Sequence, residues 1–114
     1  MNHCVFCKIL AGEIPATILH RDDQVAVIAD ISPQAPEHLL IFPVQHIPTT
    51  LDLTAEHDAL IGHIHRVAAT LAREKGFAES GFRIVNNCNA DGGQTVWHLH
   101  FHLLGGRELS WPPG

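Results

Sequence analysis

The 114-residue chain predicts an α+β fold: a mostly antiparallel sheet of about five strands carrying one long helix and a short N-terminal helix. Residues 54–75 repeat apolar positions at helical spacing, while several short segments rich in Val, Ile, Leu and Phe end at Pro, Gly or Asp. No linker, repeat or low-complexity segment interrupts them, so the expectation is a single domain spanning 1–114. That length buries a core without needing a disulfide or a metal to fold.

In chain order, "CKILAGEIP" reads as a short helical turn stopped near Gly12 and Pro15. "ATILHRDD" and "QVAVIADI" read as two strands joined at Asp22-Asp23, a hairpin. "SPQAPEH" reads as a loop, because its two prolines fix φ and remove donors. Leu39 to Val44, "LLIFPV", is almost wholly apolar and suits the middle of a sheet. The long helix is expected from Thr54, a good N-cap, to Lys75, with Gly76 as its stop. Leu60, Ile64, Val67, Ala68 and Leu71 form its buried stripe, and His57, His63 and His65 are read as solvated or edge residues without chemistry. "FRIVN" is a further strand, "NCNADGGQ" a Gly- and Asn-rich loop, and Thr95 to Leu104 the last long strand.

Apolar residues make up 46% and charged residues 17%, an ordinary globular balance. The formal charge is −5 with seven Lys and Arg and no basic stripe, which argues against nucleic acid as a partner. An anionic ligand must then be met by backbone N–H groups and by some of the ten histidines. No apolar run approaches the ~20 residues of a membrane span, and no signal peptide opens the chain, so a soluble cytoplasmic protein without a membrane partner is expected. Three cysteines, an odd number, read as thiols or metal ligands rather than as a disulfide framework.

The stretch "TVWHLHFHLLGG" places histidines at every second position. Side chains alternate along a strand, so Trp97, Leu99, Phe101 and Leu103 are expected to face the helix and His98, His100 and His102 the other side. One metal held by all three rings is disfavoured: His98 and His102 start about 13 Å apart at their backbones, against bonds of about 2 Å. An inert polar face is disfavoured too, since each buried ring needs a partner. A row of imidazoles suits a phosphorylated ligand, one ring attacking phosphorus while its neighbours hydrogen-bond oxygens or the leaving group. Gly92 and Gly93 are expected to leave backbone N–H groups open for the phosphate, and Thr95 adds a hydroxyl.

With these residues in place the chain resembles the histidine triad superfamily, whose hallmark His-φ-His-φ-His-φ-φ (φ apolar) stands complete at His98 to Leu104. Nearly the whole chain is similar to the Hint branch of nucleoside phosphoramidate hydrolases, through "GEIPA", "DISPQAPEHLLIFP", "DGGQTVWHLHFHLLGGR" and "WPPG". His102 stands where the diadenosine-polyphosphate hydrolase branch has Gln. The resemblance implies that His100 attacks the α-phosphorus of a purine nucleoside 5′-phosphoramidate. A nucleotidyl-histidine then forms as the amine leaves, and water releases AMP or GMP. It assigns His102 to the phosphate or leaving group, Thr95 to the phosphate in place of the usual Ser, and His38 to a position beside the triad. Asp30 matches the ribose-binding carboxylate. Asn87, Gly93 and Gln94 match other ribose and phosphate contacts, and Phe6, Ile28 and Ile31 match the base crevice, where Ile28 and Ile31 read equally well as core.

"CVFC" has a spacing that lets two thiolates meet one zinc, although a lone pair also reads as two plain thiols. Several bacterial members resemble this chain there, and the resemblance implies a structural zinc held by Cys4, Cys7, His46 and His98, with His3 as a substitute ligand and Cys88 as a packed or loop thiol. No organic cofactor is implied. The branch also implies a homodimer with a continuous larger sheet, the long helix and a strand pairing with their mates, and Trp111 of "WPPG" reaching the partner's site. Three other readings stand beside the hydrolase: a nucleotide-binding regulatory module with incidental turnover, a dinucleoside polyphosphate hydrolase, and a zinc hydrolase with the triad as ligands.

Overall fold

The structure, a computed structural model, describes residues 3–114; Met1 and Asn2 of the expected 1–114 domain lie outside the described residues. Helix α1 (Val5–Leu10) opens the fold, and the chain turns out of it at Gly12, whose φ of +80° favours glycine. Strands β1 (Ile18–Arg21) and β2 (Val25–Ala29) form the expected hairpin. The Asp22 carboxylate closes it by accepting the N–H groups of Gln24 and Val25. Strand β3 (Glu37–Pro43) follows, then two short 3₁₀ turns, helix α2 (Asp58–Lys75), strand β4 (Phe82–Val85), the short helix α3 (Asn89–Gly92) and strand β5 (Phe101–Gly105). The five strands form one antiparallel sheet in the order β1-β2-β3-β5-β4.

The apolar stripe of α2 does the packing its spacing predicts. Ile64, Val67, Ala68, Leu71 and Ala72 are buried with Val25, Val27, Leu39, Ile41, Phe101 and Leu103 from the sheet and with Leu99 from the segment before β5, and Leu60 packs at the margin. A smaller cluster on the opposite face joins Phe6 and Ile9 of α1 to Ala26, Ile28, Leu40 and Phe42. Gly76 stops α2 in the left-handed conformation. Gly105 is needed for a different reason: a Cβ there would stand 2.3 Å from the Phe77 ring.

Several boundaries differ from expectation. Thr54 caps a 3₁₀ turn, Ala55–His57, and the α-helix proper starts at Asp58. Glu37 and His38 leave the expected loop and begin β3, because the register with β5 pairs His38 with Leu104. The expected loop "NCNADGGQ" holds α3, whose turn spends the Gly93 N–H on Ala90 and the Gln94 N–H on Asn89; the expectation that Gly93 leaves its N–H open is therefore corrected. Strand pairing of the last segment begins only at Phe101, so residues 95–100 are not strand. The alternation still holds from Leu99 onward, with Leu99, Phe101 and Leu103 buried on the α2 side, but Trp97 is 49% exposed and not in the core. Upstream of His100 the backbone follows other partners, including the Leu99 N–H bond to Ile47.

Candidate active site

The register that pairs Leu40 with His102 puts His38, Leu40, Phe42 and His102 on the sheet face opposite α2, the face that α1 partly covers. Residues 95–100 reach that face without ladder bonds, held instead by side chains. The Gln94 amide donates to the Pro48 and Val96 carbonyls and accepts the Asn89 N–H. The Asn86 amide donates to the His100 carbonyl at 2.9 Å and also accepts the Thr50 hydroxyl. Phe6 stacks on Phe42, centroids 4.4 Å apart, and presents its ring edge-on to both His98 and His100.

Carbonyls only accept, and this fixes the ring protons. The Nε2–H of His98 donates to the Pro43 carbonyl at 2.7 Å, leaving Nδ1 bare in the neutral ring. The Nδ1–H of His100 donates to the His98 carbonyl at 2.7 Å, leaving Nε2 as the free lone pair. A second chain of bonds begins at a backbone N–H. Gln34 donates to His38 Nδ1 at 3.0 Å, so the proton of neutral His38 lies on Nε2. That Nε2–H points at His102 Nδ1, 2.9 Å away, with the Asp30 carboxylate 3.4 Å off. His102 therefore carries its own proton on Nε2. Burial, with His100 and His38 beside it, lowers the His102 pKa to about 4, so the ring is neutral near pH 7. Burial lowers His38 as well, opposed by Asp30.

A cavity of about 490 Å³ opens over these rings, within the range of small-ligand pockets. It brings together Phe6, Ile28, Asp30, Ile31, Thr95, His100 and His102. Ile28 and Phe6 are buried in its floor, and Ile31 is fully exposed at its rim. Asn87, Gly93 and Gln94 lie outside this lining, and the Gln94 side chain is turned inward onto backbone groups. Asn86, Gln34 and Pro43 escaped the sequence reading. Two of them act through backbone atoms, which carry no residue signature, and nothing in "NNCN" separates Asn86 from Asn87.

Beside the cavity, Cys4, Cys7, His46 and His98 bring one ligand atom each within 4.8 Å of one another, a cluster that can hold a metal ion. His98 Nδ1 lies 3.2 Å from Cys4 Sγ, 3.6 Å from Cys7 Sγ and 3.2 Å from His46 Nδ1, and Cys7 Sγ lies 3.4 Å from His46 Nδ1. Burial and the adjoining Cys4 thiol raise the Cys7 pKa to about 11, so without a cation this is a neutral thiol. Burial lowers His98 to about 4, and the neighbouring His46 and His100 rings act the same way. Asp30, His38 and His102 also converge, but their protons argue against a cation: His38 Nε2 holds a hydrogen that any ion there would have to displace.

An antiparallel five-stranded sheet presenting His-x-His-x-His over a nucleotide-sized cavity defines the histidine triad class. The chain belongs to that family, residues 3–110 matching the profile described as scavenger mRNA decapping enzyme C-term binding. It is 50% identical over 105 residues to the purine nucleoside phosphoramidase of Escherichia coli K12, covering 92% of this chain and 88% of that one. A HIT-like protein of Synechococcus elongatus is 50% identical over 110 residues, 96% of each chain. Among solved structures, a HIT family hydrolase from Legionella pneumophila superposes with a TM-score of 0.96 at 49% identity, covering 98% of this chain and all of the other. A histidine triad protein from Clostridium difficile gives 0.92 at 44%, covering 96% of each chain.

Proposed function

We propose that this protein hydrolyses purine nucleoside 5′-phosphoramidates at the P–N bond through a nucleotidyl-histidine. The observation that carries this reading is the pairing of opposite ring states in one cavity: a free His100 Nε2 lone pair beside a His102 Nε2–H. His100 Nε2 forms a bond to the α-phosphorus as the P–N bond breaks. His102 passes its proton to the departing nitrogen and recovers one from the water that attacks in the second half, releasing the nucleoside monophosphate. Thr95 offers its hydroxyl to the phosphoryl oxygens. The base lies among Phe6, Ile28 and Ile31, and Asp30 accepts the ribose hydroxyls. The half-identical phosphoramidase of E. coli supports the same chemistry.

The Cys/His cluster fits zinc. Bonds of about 2.3 Å to sulfur and 2.0–2.1 Å to nitrogen separate tetrahedral ligands by about 3.3–3.8 Å, close to the observed spacings. Cys4, Cys7, His46 and His98 would hold the ion, and the Pro43 carbonyl fixes the His98 tautomer that binding needs. Bound zinc supplies cross-linking of α1 to the sheet and no reaction step. Thiols kept as ligands also fit a reducing, cytoplasmic compartment. The edge strand β4 and the exposed Trp111 support a homodimer, with the tail reaching the partner.

The test is release of AMP from adenosine 5′-phosphoramidate, in parallel with a His100→Ala variant. Turnover by the parent and none by the variant, with AMP binding kept, is the expected result; a fully active variant would falsify the nucleophile assignment.

A further inference from the structure

The loop between β2 and β3, residues 30–36, carries the backbone N–H that sets the His38 tautomer, yet few bonds hold it. Pro33 and Pro36 have no N–H to give, and among the described residues no backbone–backbone bond ties residues 31–36. Within the loop, the Asp30 carboxylate accepts the Ser32 N–H at 2.7 Å, and the Gln34 amide donates to the Ser32 carbonyl at 2.9 Å. One hydrogen bond reaches the loop from a distant part of the chain: Arg107 Nε donates to the Gln34 carbonyl at 3.1 Å, across 73 residues. Arg107 stands two residues past β5, the strand that carries His102. Gly106 lets the two segments approach, since its φ is +89° and a Cβ there would stand 2.9 Å from Pro36 Cβ. The bonds therefore close a circuit from His102 through His38, Gln34 and Arg107 back to β5.

We propose that Arg107 is a positioning residue for the proton on His102. The proposal rests on the phosphoramidase reading above. The guanidinium holds the Gln34 carbonyl and so keeps the Gln34 N–H aimed at His38 Nδ1. His38 then keeps its proton on Nε2, and His102 keeps its own on the Nε2 that serves the departing nitrogen. Without that bond the loop gives the Gln34 N–H to water, and both rings are free to exchange tautomers. Arg107 is exposed, so its bond contributes little to overall stability; its effect is on which ring nitrogen holds the proton. It does not line the nucleotide cavity, so the binding surface is intact without it.

The experiment compares Arg107→Met with Arg107→Gln. Met keeps the length of the side chain and cannot donate. The Gln amide nitrogen lies as many bonds from the backbone as Arg Nε and can restore the bond without the charge. Nitrogen-15 chemical shifts of the His102 ring are read at neutral pH without substrate, and kcat and KM are measured on adenosine 5′-phosphoramidate. Arg107→Met should turn the His102 ring into a mixture of tautomers. Its kcat should fall by the same factor as the Nε2–H population, about two- to ten-fold, with KM little changed. Arg107→Gln should recover both readouts. An unchanged Nε2–H population in Arg107→Met, a kcat loss without a tautomer change, or no recovery in Arg107→Gln would overturn the assignment. A parent that cleaves no phosphoramidate would instead sink the phosphoramidase reading, while the nitrogen-15 shifts still decide whether Arg107 places the proton.

Discussion

The proton on His102 is placed by the backbone N–H of Gln34, acting through His38. A neutral imidazole has one proton and two nitrogens, so occupying one nitrogen with an accepted bond decides which end donates. Removing the intermediary in His38→Ala frees His102 to adopt either tautomer. We expect kcat on adenosine 5′-phosphoramidate to fall on the order of 100-fold with AMP affinity little changed; unchanged kcat would show that the tautomer is set elsewhere. The same ring predicts a pH dependence. Its folded pKa, about 4, lies below the ordinary 6.5, so the unfolded chain takes up the proton first and stability falls as pH drops from about 6.5 to 4. Urea midpoints measured across that window should fall less steeply in His102→Gln than in the parent. At this scale the sequence pattern identified the rings but not their protons, because Gln34, Pro43 and the His98 carbonyl act through groups that every residue possesses.

Helix α2 was legible because spacing alone defines its buried face, and Ile64, fully buried at the centre of that face, should cost about 2–5 kcal/mol of stability when truncated to alanine, read by chemical denaturation. The hairpin was legible as strands and turn, but not its tether to the helix. Asp22 Oδ2 accepts from His20 Nε2 and from His63 Nε2 on α2, each at 2.8 Å. His63, read from sequence as an edge residue without chemistry, joins two elements that are 41 residues apart in the chain. Burial alone would push the Asp22 carboxyl up, but these two bonds and the N–H groups of Val25 and Gln24 hold it well below the usual carboxylate range. A depressed carboxyl contributes stability above its unfolded pKa of about 4 and loses it as pH falls further. Asp22→Asn should therefore unfold at lower urea than the parent at pH 7, with the gap closing as acid is added below about pH 4. The segment 95–100 was the least legible, since alternation implies a strand whether or not a neighbour completes the ladder. Here the Asn86 and Gln94 side chains take the place of that neighbour.

Over the whole molecule, topology brings Cys4 and Cys7 against a histidine 94 and 91 residues later in the chain. Spacing offered Cys4 and Cys7, and the resemblance joined His46 and His98 to them; the Nδ1 and Sγ atoms of these four converge. Metal analysis should find about one zinc per chain. Its removal by a chelator should lower the melting temperature by several degrees while turnover persists below the new transition. Loss of turnover at full helicity would argue for a metal inside the reaction.

His98 is the residue on which these scales meet. Its Nε2 is anchored to Pro43 and its carbonyl holds the proton of His100, while only its Nδ1 faces the sulfurs. The two anchoring bonds do not depend on the cysteines. A lineage can therefore shed Cys4 and Cys7 one at a time and still inherit a His100 ring held in the same tautomer. Exchanging His98 instead removes the ring that braces the segment leading to His100. Descent from such an ancestor would leave the first histidine of the triad standing in proteins that no longer carry the thiols.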